Sequence, residues 1–198
     1  LKKHISLESV FCTSYIKSLG LINKLNISGY SSFIDIGLKK SSIAIFRDNN
    51  LLYLNNTHVG GDHITRDISK ILKLDYRTSE ARKLQFYKNN FEENTLMEDQ
   101  LLKKIINSRL EEIIEILFLN CPLTQDNLLK SDLKLFFTGN GSKVLNENQL
   151  TFGAEFDFIK EMSIIDEKDY DNCNSAIEFN FSNKKIQPTK SLLTPENK

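Results

Sequence analysis

The sequence has little of what defines several common protein classes. It contains only three cysteines in 198 residues, and Cys12, Cys121 and Cys173 lie far apart. An odd number without paired spacing argues against a disulfide framework or a zinc site and is typical of a reducing cytoplasm. No uncharged apolar run approaches the ~18 residues that cross a bilayer, and no signal peptide is recognisable, so we expect a soluble protein.

Net charge is also absent, because 26 basic residues balance 26 acidic ones. A chain without a basic excess lacks the electrostatic footprint of proteins that bind nucleic acid or anionic membranes, and we expect no nucleic-acid partner. The length allows one domain, with or without a small inserted lobe. The chain does not begin with methionine and its first residues resemble the interior of a protein, so we expect a fragment or a processed chain.

The most informative stretch is residues 33–67, where three apolar, β-favouring segments follow one another. They predict strands at residues 33–36, 43–46 and 51–54. Gly60 and Gly61 then end the extended structure, and apolar residues recur at helical spacing from residue 62. Two sharp turns and a helix start therefore lie close in sequence, and exposed backbone N–H groups at such places suit phosphate.

Helical patterns dominate the middle of the chain. We predict helices at residues 62–73, 79–88 and 97–119, with Ser79 as the N-cap of the second. Before residues 33–67, the pattern at residues 8–25 predicts a short strand that runs into a helix. His58 and His63 have no neighbouring metal ligands in sequence, so we interpret them as surface or capping residues.

A second candidate phosphate or nucleoside site follows the strand predicted at residues 133–137. That strand stops at Gly139, Asn140 and Gly141, and Ser142 is predicted to cap a helix that contains Leu150. A tight strand-to-helix connection without a ligand remains the alternative. The final third has weaker patterns: a strand at residues 156–159, a helix at 175–181 and a polar, disordered tail at 182–198.

Several of these segments, in this order, resemble the family of the bacterial cell-division protein FtsA. The most specific is VGGDHITRDI at residues 59–68, which follows FIDIGLKKSSIAIF at 33–46. Supporting segments are SEARK at 79–83, RLEEIIEIL from Arg109 and LFFTGNGS at 135–142. The resemblance covers roughly residues 8–181 and corresponds to the C-terminal half of the family's proteins, so the first phosphate loop of the family lies outside it.

The resemblance implies an α/β fold, namely the second domain of an actin-like ATPase of the actin and ribonuclease-H-like superfamily, with a small, mostly helical inserted subdomain. Its subdomain 2A would comprise residues 1–65 and 131–181, and the inserted subdomain 2B would comprise residues 66–130. Residues 182–198 would form the tail.

The resemblance also implies ATP and Mg²⁺ as cofactors. Asp35 would hold the Mg²⁺ through water, because a hard cation needs oxygen ligands, although a polar residue at a strand end is the plain alternative. The other implied nucleotide-binding residues come from both glycine turns and one helix: Gly37, Lys39, Lys40, Ser41, Gly60, Gly61, Glu80, Lys83, Gly139, Asn140, Gly141 and Ser142.

The chain departs from the family at its phosphate turn. The family reads DIGGGTTDIAVF where this chain reads DIGLKKSSIAIF, so Leu38 and Lys39 replace glycines, Lys40 a threonine and Ser42 an acid. Side chains at the glycine positions restrict close approach to phosphate, whereas two lysines add positive charge. We expect ATP binding with at most slow hydrolysis, and catalytic residues are not identified. An ordinary solvated turn at the lysines remains the alternative.

The implied function is a cytoplasmic division protein, peripheral to the inner membrane at the septum, that self-associates into polymers and links the FtsZ ring to the membrane. The helix surface with Lys103, Arg109 and Glu112 lies where the family receives FtsZ. The tail has Pro188 and Pro195 and shows no amphipathic membrane helix. Two other functions stay open: a kinase-like enzyme of the same superfamily, and a scaffold that has lost nucleotide binding.

Overall fold

The computed structural model of the chain describes residues 10–88, 97–125, 133–145, 159–166 and 172–186. Its centre is a five-stranded sheet of order β3-β2-β1-β4-β5. The strands are β1 (Tyr30–Ile36), β2 (Ser41–Arg47), β3 (Asn50–Thr57), β4 (Leu133–Thr138) and β5 (Ile159–Ile164). β1, β2 and β3 pair antiparallel, whereas β4 runs parallel to both β1 and β5. The three strands predicted within residues 33–67 are thereby confirmed.

Helices cover both faces of this sheet. They are α1 (Thr13–Leu25), α2 (Gly61–Leu72), α3 (Tyr76–Lys88), α4 (Met97–Phe118) and α5 (Asn172–Ile186). Short 3-10 helices occupy Pro122–Gln125 and Asn140–Val144. In the described part of the chain, no helix combines the length and the apolar character needed to span a membrane.

The larger hydrophobic core lies between the sheet and helices α2 and α4. Ile34 and Ile36 of β1 contact it beside Ile43 and Ile45 of β2, because alternate residues of a strand share one face. The helices contribute a stripe of buried side chains at helical spacing, including Ile64, Ile68, Ile106, Leu110, Ile113 and Leu117. The core is continuous from the sheet into both helices, and the division of the chain near residues 66 and 131 stays a prediction.

The smaller core lies on the opposite face, under α1 and α5. Phe33 stacks on Phe136 with ring centroids 5.1 Å apart, and Phe46 stacks on Tyr15 of α1 at 5.9 Å. Phe179 of α5 meets Tyr15 edge to face. Aromatic pairs at these separations are favourable. The result is a three-layer α/β/α arrangement, as predicted for an α/β fold, with β1 and β4 at its centre.

Two predicted helix starts are wrong. Ser79 lies inside α3, because its N–H donates to the Asp75 carbonyl at 3.0 Å, and the Asp75 carboxylate accepts the Thr78 N–H at 3.0 Å. Asp75 is therefore the N-cap. Ser142 lies inside a 3-10 turn, where its hydroxyl donates to the Gly139 carbonyl at 2.7 Å, and Leu145 after it is extended. Leu150 lies outside the described residues.

Other bounds also differ from the predictions. Residues 10–12 form no strand before α1, and residues 8 and 9 lie outside the described part. Of the strand predicted at residues 156–159, residues 156–158 lie outside the described residues, and Ile159 is the first residue of β5. Helix α5 begins three residues before the predicted start at 175 and continues to Ile186, into the segment predicted as tail.

Candidate functional site

The candidate site lies where β1 and β4 end at the same edge of the sheet. These strands are parallel and in register, with Asp35 opposite Thr138. In α/β sheets, ligands bind in the crevice outside the carboxyl ends of parallel strands. A cavity of about 510 Å³ opens there. It is lined by Lys17, Asp35, Gly37, Leu38, Gly139, Asn140 and Asn172.

Gly139 allows the ends of the two strands to approach each other. Its φ of +87° belongs to a region that side chains rarely adopt. A Cβ at this position would lie 2.3 Å from Asp35 Oδ1 and 2.5 Å from the Ile36 carbonyl oxygen. The glycine predicted from the strand-to-turn pattern is therefore needed for both conformation and space.

The turn between β1 and β2 is bonded to the start of α2. The Gly61 N–H donates to the Gly37 carbonyl at 2.9 Å, and the Asp62 N–H donates to the Leu38 carbonyl at 2.8 Å. A Cβ on Gly60 would lie 2.6 Å from the Gly37 oxygen, so this glycine is needed for the close approach. Two amides that could have bound phosphate are thus bonded within the chain.

His63 caps the same helix start. The imidazole Nδ1 of His63 accepts the Gly60 backbone N–H at 3.2 Å, and the His63 backbone N–H donates to the Gly60 carbonyl at 3.0 Å. This confirms the capping interpretation of His63. The described residues contain no group of three or more His, Cys, Asp or Glu side chains placed to hold a metal.

Glu80 and Lys83, which the resemblance implies as nucleotide-binding residues, lie beside α2. The buried Lys83 Nζ donates to the Gly61 carbonyl at 3.0 Å, to Thr65 Oγ1 at 2.7 Å and to Glu80 Oε2 at 2.7 Å. Thr65 Oγ1 also donates to Glu80. An ammonium has three N–H donors, and here each has a protein acceptor. Lys83 therefore holds α3 against the first turn of α2.

The other predicted nucleotide ligands divide into three groups. Asp35, Gly37, Gly139 and Asn140 line the cavity. Gly141 packs against the start of α2, because its Cα lies 3.5 Å from the position that a Cβ on Gly61 would occupy. Ser41 and Ser142 are buried and donate to the carbonyls of Val59 and Gly139. Lys39 and Lys40 are exposed at the tip of the turn and do not line this cavity.

Sequence reasoning missed two residues that line the cavity, Lys17 and Asn172, and the neighbour of Asp35 on β4, Thr138. Lys17 of α1 is buried and its Nζ lies 3.0 Å from Asp35 Oδ2. Thr138 carries a buried hydroxyl without a hydrogen-bond partner among the described residues. A lysine one residue after Ile16, within an apolar stripe, was the available signal for Lys17, because a charge there needs a partner.

The side chains present do not fit a magnesium ion held through Asp35. Among the described residues that line the cavity, only Asp35 is acidic, and its carboxylate already binds the Lys17 ammonium. At an effective dielectric of about 20, two unit charges 4 Å apart interact by about 4 kcal/mol, and a dication doubles this repulsion. The water-mediated magnesium site at Asp35 therefore stays a prediction, and the Lys17 ammonium disfavours a dication there.

A second charged cluster surrounds Asp62 at the start of α2. Its buried carboxylate accepts the Tyr76 hydroxyl at 2.6 Å and pairs with Arg66 at 2.8 Å. The Tyr76 hydroxyl lowers the pKa of Asp62, and the same hydrogen bond raises the pKa of Tyr76. This cluster orients the first turn of α2 and α3 together.

A groove between α2 and α4 forms a separate surface. It has a volume of about 330 Å³ and includes Asp67, Ile71, Lys104 and Arg109. Arg109 Nε donates to Asp67 at 2.6 Å, and its NH1 donates to Glu112 at 2.5 Å. The bond to Asp67 raises the pKa of the guanidinium. We refer to this surface as the α2–α4 groove.

Comparison with known proteins adds a family and a fold. The model of the family "Cell division protein FtsA" matches residues 32–146, more than half of the chain. The FtsA of Streptococcus pneumoniae serotype 2 is 25% identical over 126 residues, which are 56% of this chain and 28% of that protein. The chain thus matches less than a third of the length of this relative.

Solved structures with similar folds are actin-like proteins. MreB5 of Spiroplasma citri bound to AMPPNP has a TM-score of 0.61 at 16% identity, over 87% of this chain and 59% of that one. The archaeal actin homologue Ta0583 has a TM-score of 0.54 at 16% identity, over 87% and 54%. The ParM protein of pSK41 has a TM-score of 0.54 at 14% identity, over 86% and 50%. The actin-like fold is thereby confirmed.

Proposed function

The chain belongs to the FtsA family of cell division proteins, and we propose on that basis that it binds ATP, self-associates and links the FtsZ ring to the cytoplasmic membrane at the septum. The observation that supports nucleotide binding best is the cavity at the shared edge of β1 and β4, with Asp35, Gly37, Gly139 and Asn140 around it. The similar MreB5 structures contain AMPPNP and ADP.

Nucleotide would serve as an assembly and conformational ligand, with slow turnover at most. Support comes from the turn between β1 and β2, where Leu38 lines the cavity at a position that is glycine in the family. A side chain there keeps the backbone amides of the turn away from phosphate. Rapid release of phosphate from ATP by the full-length protein would contradict this part.

Replacing Asn140 with aspartate tests where the nucleotide binds. Asn140 is exposed and lines the cavity, so the exchange keeps its size and adds a negative charge near the phosphates. We expect affinity for ATP to fall at least about tenfold, because like charges repel strongly near a low-dielectric wall. Isothermal titration calorimetry of the full-length protein measures the effect.

The matched control is Asn23→Asp, which adds the same charge on the exposed side of α1. Its affinity for ATP should equal that of the wild type. Equal weakening by both variants would place the nucleotide elsewhere. Lys39→Ala and Lys40→Ala belong in the same titration, since unchanged binding would remove these lysines from the site.

We place the FtsZ contact at the α2–α4 groove. Arg109 is held there between Asp67 and Glu112, and exposed lysines 103 and 104 lie on the same helix. Basic side chains beside the apolar walls of Ile71 and Ile105 suit an acidic, partly apolar peptide. This surface includes Arg109 and Glu112, two of the three residues to which the family resemblance assigns FtsZ binding, and Lys103 lies beside it on α4.

Reversing the charge of Lys104 tests that assignment. Lys104→Glu should weaken binding of purified FtsZ at least about tenfold and make it less dependent on salt, because attraction to a rim lysine is screened by ions. Surface plasmon resonance at two ionic strengths measures both effects. Lys24→Glu on α1 is the control, and an equal loss in that variant would exclude the groove.

The remaining parts of the proposal are self-association into polymers and attachment to the inner membrane. Both are supported by the family and by the actin-like fold. Ultracentrifugation of the full-length protein with ATP and fluorescence imaging in dividing cells test them. Failure to form pellets with ATP, or a diffuse distribution, would contradict the respective part.

A scaffold that does not bind nucleotide is the second candidate function. It is favoured by the amides of Gly61 and Asp62 and by the Lys83 donors, all of which are bonded within the chain. Absence of ATP binding by the wild type would establish it. A kinase-like enzyme would need a free acidic base, and the acidic residue among the cavity's lining residues, Asp35, is paired with Lys17.

A further inference from the structure

A buried ammonium group faces the candidate cavity from α1. Lys17 is 5% exposed, both Lys17 and Asp35 line the cavity, and their charged atoms lie 3.0 Å apart. Burial of an unpaired ammonium is costly, so the carboxylate explains why a lysine is tolerated among the apolar residues of α1. Asp35 in turn is fixed by Lys17 and by the close approach of Gly139.

The neighbours of this ion pair offer further donors to an anion. Thr138 lies opposite Asp35 in the parallel ladder, so both side chains share one face of the sheet. Its hydroxyl is buried and lacks a hydrogen-bond partner among the described residues. Asn140 adds an exposed amide at the cavity wall. The lysine and amide groups that line the cavity are donors that bind phosphate oxygens, and the buried Thr138 hydroxyl does not line the cavity.

We propose that Lys17 takes the place of the divalent cation in this cavity, so that the phosphate chain of ATP binds to a lysine held by Asp35 and requires no Mg²⁺. The inference deepens the proposed nucleotide binding and rests on it. Lys17 and a dication would compete for Asp35, the one carboxylate among the described residues that line the cavity, and would repel each other, whereas Lys17 and a polyphosphate attract. Free ATP is more negative than its magnesium complex, which favours the free form at this site.

The test is calorimetric titration of the full-length protein with ATP, once with excess magnesium and once with excess chelator. Wild-type affinity should be equal within about twofold, or tighter in chelator. In chelator, Lys17→Met should bind ATP at least about tenfold more weakly, since it lacks the charge-assisted bonds. Magnesium should restore binding to that variant, because Asp35 is then available to hold the dication through water.

Two further variants separate this role from a structural one. Lys17→Met with Asp35→Asn removes both charges, and magnesium should then fail to restore binding. Lys24→Met removes an exposed lysine from the same helix and should behave as the wild type. Thermal unfolding without ligand shows that each variant is folded.

Each outcome decides the question. Loss of wild-type binding in chelator would overturn the inference and leave the proposed function intact. Unchanged binding by folded Lys17→Met in chelator would overturn it as well. Absence of binding in both conditions would overturn the proposed nucleotide function, and the inference with it.

Discussion

Replacing Gly139 with alanine is expected to lower the free energy of unfolding by about 3 kcal/mol and the melting temperature by about 10 °C. Two costs add at this position. The φ of +87° is strained for a residue with a side chain, and a Cβ would lie 2.3 Å from Asp35 Oδ1 and 2.5 Å from the Ile36 carbonyl. Because the clash is with both a carboxylate and backbone, β1 and β4 must separate. Urea unfolding followed by circular dichroism measures the loss.

Gly29→Ala is the matched control for this variant. Gly29 has a nearly equal φ of +83°, but a Cβ there would meet nothing within 4 Å. It should therefore show the conformational cost alone, about 1 kcal/mol. Equal losses in the two variants would mean that the strand ends relax freely and that the contact between Gly139 and Asp35 is not tight.

Lys83→Met should lower the free energy of unfolding by about 2 kcal/mol. The exchange leaves the Glu80 carboxylate, the Thr65 hydroxyl and the Gly61 carbonyl without their shared donor. Loss of one partner of a buried pair costs several kcal/mol, and the value is smaller here because the Glu80 side chain is 32% exposed. Chemical denaturation measures it, and Lys83→Met with Glu80→Gln should recover part of the loss.

Arg82→Met provides the comparison on the same helix. Arg82 pairs with Glu98 in a solvent-accessible ion pair, with side chains 33% and 52% exposed. Such pairs contribute about 0.5 kcal/mol or less. If Lys83→Met lowered the free energy of unfolding by as little as Arg82→Met, the bonds of Lys83 to α2 would not stabilise the fold.

Most of the sheet was predictable from local pattern. The strands β1, β2 and β4 carry buried, β-favouring residues on both faces, so their signal does not depend on knowing the neighbours. β5 was not predicted beyond Ile159, because its sequence, IKEMSI, mixes charges with apolar residues. Only its pairing with β4 makes it a strand.

The capping errors have a simpler cause. Asp75 and Ser79 are both good N-cap residues, and the apolar pattern after them does not distinguish helix starts four residues apart. For Ser142, glycine before a hydroxyl residue predicted a helix, but the turn continues for only five residues.

Within the site, sequence predicted the glycines and missed the lysine. Gly139 could be found because a glycine at the end of a strand has few other uses. The bond from Lys17 to Asp35 joins α1 to β1 across 18 positions, and no local pattern records a tertiary contact. Lys39 and Lys40 were predicted as ligands because they are adjacent charges in a turn, yet they are exposed and do not line the cavity.

Helix α2 connects the turn beside the candidate cavity with the α2–α4 groove. Its first residue, Gly61, is bonded to the turn between β1 and β2, and Asp67 and Ile71 on its later turns form a wall of the α2–α4 groove. At 1.5 Å per residue the helix joins them over about 9 to 15 Å as one stiff rod. Under the proposed function, a displacement of its first turn by nucleotide would reach the groove, and any effect of ATP on the affinity for FtsZ would equal the effect of FtsZ on the affinity for ATP.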